Sequence, residues 1–218
     1  MHPNNLDYKQ QENKSISFKG ISFSYPSSIA EKIVGKVAPA NLDPSGFLYD
    51  DMPSHVRFDF DNSYISRTPF NSFQYEWVPW LKLEIPKRAD TGPQIFIFPI
   101  NDYIRINPMV KERVEKLMVY LDQNIFPIED SFPVLPTFNS AQDFRVQAHK
   151  IIFQSGRGLR FITRYSQETK PIVNPDVFYT FQGLSEDNEY YVAAFFPLYI
   201  SILSDQMDIN DWEKFNLG

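Results

Sequence analysis

The feature that most constrains the fold is the rhythm of the last third of the chain. "RVQAHKIIFQ", "RFITRYS", "DVFYTFQGL" and "EYYVAAFFPL" follow at close spacing, each rich in β-branched and aromatic residues, with "SGRG" and "SEDN" at the corners. Runs this short, bounded by turn residues, predict an antiparallel meander rather than helices. Period-two alternation then assigns sides. Arg160, Ile162 and Arg164 fall on one face of the strand after "SGRG", and Leu159, Phe161 and Tyr165 on the other.

Upstream, the same alternation marks "SISFKGISFSYP" as one or two strands ending at Pro26, after a disordered lead-in over 1–14. Ser27 or Ser28 is expected to cap a short helix through Glu31 and Lys32, with "VGKVAPANLDPSG" as an irregular connection. "HVRFDFDN" places Val56, Phe58 and Phe60 on one face, and Arg57, Asp59 and Asp61 on the other. "FQYEW" and "LKLEIP" suggest a strand-pair arm within 62–92, before the strand "PQIFIFPI". "INPMVKERVEKLMVYLDQ" is the clearest helix. Asn107 is the cap, Pro108 suits the first turn, Val110, Val114, Leu117 and Leu121 form an apolar stripe, and Glu112 and Lys116 sit four apart on the wet side. Residues 126–138 read as extended, "NSAQDF" as a short turn or helix, and "SDQMDINDWEKF" as a last short helix from Ser204.

The sum is an α+β fold: a single domain over 15–218, built on an antiparallel meander of six to nine strands, with one main helix at about 107–123 packed on one face. At 218 residues, with 43% hydrophobic and 22% charged, the chain can bury one substantial core. Aromatics at 16% favour sheet surfaces, and 17 prolines against 8 glycines make for stiff turns. A net charge of −6 argues against nucleic acid as the main partner. With no cysteine there is no disulfide frame, thiolate metal site or cysteine nucleophile, and no metal or cofactor is expected. The N-terminus lacks the order of a secretory signal. The longest apolar run, "VAAFFPLYISIL", is too short to span a bilayer and contains Pro197, so no transmembrane segment is expected.

Candidate sites follow from residue type and side. "SGRG" lacks the spacing and the Lys-Ser/Thr of a phosphate loop, and no strand-to-helix turn follows Ser155 as a nucleophile elbow requires. It reads as a hairpin tip in which Gly156 or Gly158 takes the left-handed conformation. Arg157 lies between those glycines. Arg160 and Arg164 share a surface that either pairs with carboxylates across strands or receives an anionic group. Gln182, before Gly183, lies near that surface or satisfies backbone groups at the turn. The only histidines are His2, His55 and His149; His149 is near Ser155 in sequence, but an exposed tip is a poor place for a catalytic serine. Asp50, Asp51, Asp59 and Asp61 offer oxygen ligands without the glycine and glutamate of a calcium loop, and their plain reading is a solvated strand face. Phe73, Tyr75, Trp77 and Trp80 form the densest ring cluster, suited to a core or to a glycan-, peptide- or protein-binding platform. No catalytic residue is assigned.

Beyond these patterns, "LPTFNSAQDFRVQAHKIIFQSGRGLRFITRYSQ" through "NPDVFYTFQGLSEDNEYYVAAFFPL", with "ISFSYP" near the start, resembles a family of uncharacterised bacterial envelope proteins of the lipoprotein type. The likeness covers about a third of the chain well. It implies an extracytoplasmic domain and brings no activity and no catalytic residues; this chain departs from it in lacking a lipid-anchor cysteine. The expected function is a non-catalytic domain that binds a protein, peptide or glycan through aromatic and arginine surfaces. A hydrolase-type enzyme using Asp59, Asp61 or the His149 region is the alternative from another class, and a purely structural envelope role is the third.

Overall fold

The computed structural model describes residues 12–42, 51–63, 92–123, 131–167 and 170–204. Nine strands and two helices run in the order β1 (Asn13–Phe18), β2 (Ile21–Pro26), β3 (Ala30–Ala38), β4 (His55–Ser63), β5 (Gln94–Pro99), α1 (Ile100–Ile106), α2 (Met109–Asp122), β6 (Ala141–Phe153), β7 (Gly156–Ser166), β8 (Phe178–Ser185) and β9 (Tyr190–Pro197). β3 to β9 make one seven-stranded antiparallel sheet in the order β3-β4-β5-β9-β8-β7-β6, and β1 and β2 form a separate hairpin. The expected α+β class and antiparallel meander are present.

Both faces of the sheet are used. The inner face carries Phe96, Phe98, Leu159, Phe161, Phe178, Leu184 and Tyr191 and packs against the helices. Of α2, the predicted stripe Val110, Val114, Leu117 and Leu121 is buried, joined by Tyr120. Each such side chain contributes about 1.5–3 kcal/mol on full burial. The start of α2 follows the cap logic, since Asn107 Oδ1 accepts from the Met109 N–H at 3.1 Å. Asn107 stands before Pro108 and is extended, φ −129°, which separates α2 from a second helix that the sequence reading left out. That helix, α1, starts directly after β5 and buries Ile100 and Tyr103.

On the outer face, one row runs across the whole sheet: His149, Arg160, Phe181, Ala194, Ile95, Phe58 and Gly35 stand opposite one another in turn. The β1–β2 hairpin lies over the β3, β4, β5 and β9 part of this face, with Phe18 and Phe23 edge-on to Phe58 at 6.3 and 5.1 Å. Gly35 lets it sit so close; a Cβ there would stand 2.7 Å from the Phe18 ring. The hairpin turns on Lys19 and Gly20, with φ of 53° and 79°, the left-handed pair that matches strand twist.

Several local expectations are corrected. Residues 30–38 are strand β3 and not a helix capped by Ser27 or Ser28, because pairing with β4 from Ala30↔Ser63 to Ala38↔His55 outweighs a weak cap signal. β3 also takes in the first part of the supposed irregular connection. "AQDF" opens β6 rather than a short helix. Asn13 and Lys14 belong to β1 instead of a disordered lead-in. The arm expected within 62–92, apart from Asn62 and Ser63 of β4, and the C-terminal helix expected after Ser204 lie outside the described residues.

Candidate functional site

The hairpin at "SGRG" is there, with Gln154 and Ser155 between Phe153↔Gly156. Neither Gly156 nor Gly158 has positive φ, which corrects the left-handed expectation. The glycines serve close approach instead. A Cβ on Gly158 would enter the Phe181 ring and stand 2.7 Å from the Gln182 carbonyl, and one on Gly183 would stand 2.6 Å from the same ring. Phe181 thus lies flat over two glycines on the outer face, and Phe153 meets it edge-on at 5.7 Å.

The three arginines have different fates. Arg157 has inner-face parity and reaches Asp122 at the end of α2, 2.6 Å away. Arg164 keeps the predicted side but is buried, 1% exposed. Its guanidinium contacts Asp143 at 2.8 Å and Asp176 at 3.7 Å, and donates to the carbonyls of Pro171 at 3.0 Å and Lys170 at 2.9 Å. Of the two readings, pairing with carboxylates fits it and an anion receptor does not, because it is buried between two carboxylates and two carbonyls. Arg157 and Arg160 are exposed, and of the two only Arg160 has no ion pair or hydrogen bond among the described residues.

Gln182 does not lie near Arg160. It is fully buried on the inner face, where Oε1 accepts from Leu135 N–H at 3.0 Å and Nε2 donates to Thr180 Oγ1 at 2.7 Å. The backbone it satisfies belongs to the proline-rich stretch under the sheet, not to the turn. Gln142 does the same for Phe132 N–H at 2.7 Å, and sequence reasoning had given it no role. Tyr75, Trp77 and Trp80, with Phe73, lie outside the described residues.

Among the described residues no acid–base constellation assembles from the carboxylates or histidines singled out; Asp50 and His2 lie outside the described residues. Asp59 is bound by Lys36 and Arg57, each at 2.5 Å, and by Gln94 at 3.2 Å. Asp61 is exposed opposite Lys32. His149 is exposed in the middle of β6, and the tip Ser155 lies six residues further on, about 20 Å along an extended strand. Among the described residues no three His, Cys, Asp or Glu side chains group to hold a metal ion. Burial pushes the Tyr191 and Tyr165 hydroxyls up, with Arg113 of α2 opposing, so both phenols stay protonated at neutral pH and cannot act as bases.

Of the two described histidines, His55 is the buried one. Its ring lies 4.7 Å from Phe98, and Nδ1 is 2.9 Å from the Pro53 carbonyl. Burial lowers its pKa, the Pro53 hydrogen bond partly opposes this, and Arg57 adds to the lowering. The unfolded chain takes up this proton near the ordinary 6.5 while the native state resists it. The contribution is therefore complete above about pH 6.5 and is lost as pH falls from there towards the lower native value. Thermal midpoints measured from pH 8 to pH 5 are expected to fall below about 6.5, and less steeply in His55→Phe.

What remains is a surface. The hairpin covers one half of the outer face, and on β8, β7 and β6 the other half presents exposed Arg160 and His149, Val146 at 48% exposure, and partly exposed Ile162, Phe153 and Phe181. The fold and this surface define the class as an antiparallel, sheet-dominated α+β fold with a sheet face that the hairpin half covers. No family model matches the chain, and no curated protein or solved structure matches it. Among the described residues no helix is long and apolar enough to cross a membrane.

Proposed function

We propose that this chain is a non-catalytic binding domain of a bacterial envelope or exterior, and that it holds a protein or peptide on the open half of its outer sheet face. One observation carries the reading: the β1–β2 hairpin stops short of β8, β7 and β6, which keep an apolar, ring-bearing surface around the exposed Arg160, unpaired among the described residues. An exposed apolar patch with one desolvatable arginine is the usual composition of a protein-binding centre. A glycan would use the same rings less fully, since Phe181 is spent on the glycines beneath it. The envelope location rests on the family resemblance.

The test is a photo-crosslinking residue at Val146 or Ile162, with Lys111 on the exposed side of α2 as control. Adducts with a defined partner are expected from the two sheet positions and not from Lys111, and Arg160→Glu is expected to abolish them while shifting stability by no more than about 0.5 kcal/mol. Equal adducts from Lys111, or adducts indifferent to Arg160→Glu, count against the reading.

A further inference from the structure

We propose that the open half of the outer face reads an extended acidic peptide in which one carboxylate has an apolar residue two positions away on each side; the inference rests on reading that face as a binding surface. Charge gives the first support. Although the chain carries a net charge of −6, β7 and β8 contain no acidic residue, and Asp143, the one in β6, is bound by Arg164. Arg160 stands in the middle of this side as an exposed guanidinium with no ion pair or hydrogen bond among the described residues. Its planar fork matches a carboxylate with two parallel N–H groups, and its single positive charge balances one. The neighbour of Arg160 is placed by a local irregularity. Val146 and His149 are three apart, which in a regular strand sends side chains to opposite sides, yet they stand opposite Ile162 and Arg160, both on the outer side. The register shift between them, with Gln147 at φ 56°, supplies the extra residue, in a conformation uncommon for a residue with a Cβ. It brings the exposed His149 imidazole, which has an N–H to donate in either charge state, beside the guanidinium.

Spacing supplies the rest. The row through Ile162 also holds Val146 and Tyr179. The row through Gly158 holds Ile151 and Gly183, with the Phe181 ring laid over the two glycines and Phe153 edge-on to it. Arg160 lies between these two apolar rows, two residues from each, which is about 7 Å along the strand. An extended peptide repeats its same-side residues at that interval, so a segment lying along β7 sets a carboxylate on Arg160 and one apolar side chain on each row. Neighbouring strands are about 4.8 Å apart, so a peptide crossing them finds no such match.

A library of random linear peptides displayed on phage and selected on the full chain tests this. Sequences with Asp or Glu two positions from an apolar residue on both sides are expected to be enriched, and the same selection on Arg160→Glu is expected to lose that enrichment. A selected peptide remade with glutamine in place of the acid is expected to bind at least about tenfold more weakly, because a hydrogen bond to a charged group is lost. On titration with the parent peptide the amides of Val146, Arg160 to Ile162 and Phe181 are expected to shift, and those of α2 to stay. No enrichment, enrichment that lacks the acid or its apolar flanks, or enrichment unchanged on Arg160→Glu overturns the proposal. Tighter binding of a version with phosphoserine at the acidic position overturns it too and assigns the face to a phosphorylated partner. A partner crosslinked at Val146 or Ile162 alongside any of these results removes the acidic motif and keeps the binding face, whereas selected acidic peptides that shift only the α2 amides remove both.

Discussion

Arg164→Met is expected to lower unfolding free energy by about 3–5 kcal/mol, because it breaks a buried charge network from one side. The guanidinium is 1% exposed, and Asp176, which it faces at 3.7 Å, is itself buried at 6% side-chain exposure. Methionine fills much of the volume, so the loss reports on the orphaned Asp176 carboxylate and the Lys170 and Pro171 carbonyls rather than on a cavity. Lys170, 3.3 Å from Asp176, softens the effect but sits 31% exposed and cannot replace the two bonds that Arg164 donates to the Lys170 and Pro171 carbonyls. Urea unfolding monitored by circular dichroism reads the change in midpoint. Asp143 is half-exposed, so Asp143→Asn should cost clearly less than Arg164→Met, and the reverse order would refute this picture.

Gln182→Leu is expected to cost about 2–4 kcal/mol despite its similar volume. The substitution strands two buried groups, the Leu135 N–H and one side of the Thr180 hydroxyl, which donates onward to the Ala194 carbonyl at 2.8 Å. Its local signature is specific. The stretch around Phe132, Val134 and Leu135, all at most 2% exposed, loses an anchor and should exchange its amides faster than α2 does. Equal stability with unchanged exchange at Leu135 would show that the glutamine is not what holds that stretch.

Much of the meander was legible because β7, β8 and β9 are short runs rich in β-branched and aromatic residues bounded by turn residues, and α2 because its stripe spans several turns. α1 has seven residues, too few for a period to register. β3 was hidden because its evidence is non-local: nothing within "AEKIVGKVA" announces the strand of "HVRFDFDNS" beside it. The candidate site divided the same way. Alternation placed Arg160 and Arg164 on one side, but the carboxylates that occupy Arg164 come from β6 and from the turn before β8, and the Asp122 that meets Arg157 ends a helix. The glycines were credited with torsional freedom when their task is to make room for a ring on the neighbouring strand, which only the register reveals.

The place of β9 between β5 and β8 has a consequence for biogenesis. During synthesis, β3, β4 and β5 are made early, and the apolar "QIFIFP" of β5 then waits as an open rim until residues 190–197 leave the ribosome. The last strand zips two half-sheets together, so any nascent chain stalled before it carries two unsealed rims and is a natural client for holding chaperones.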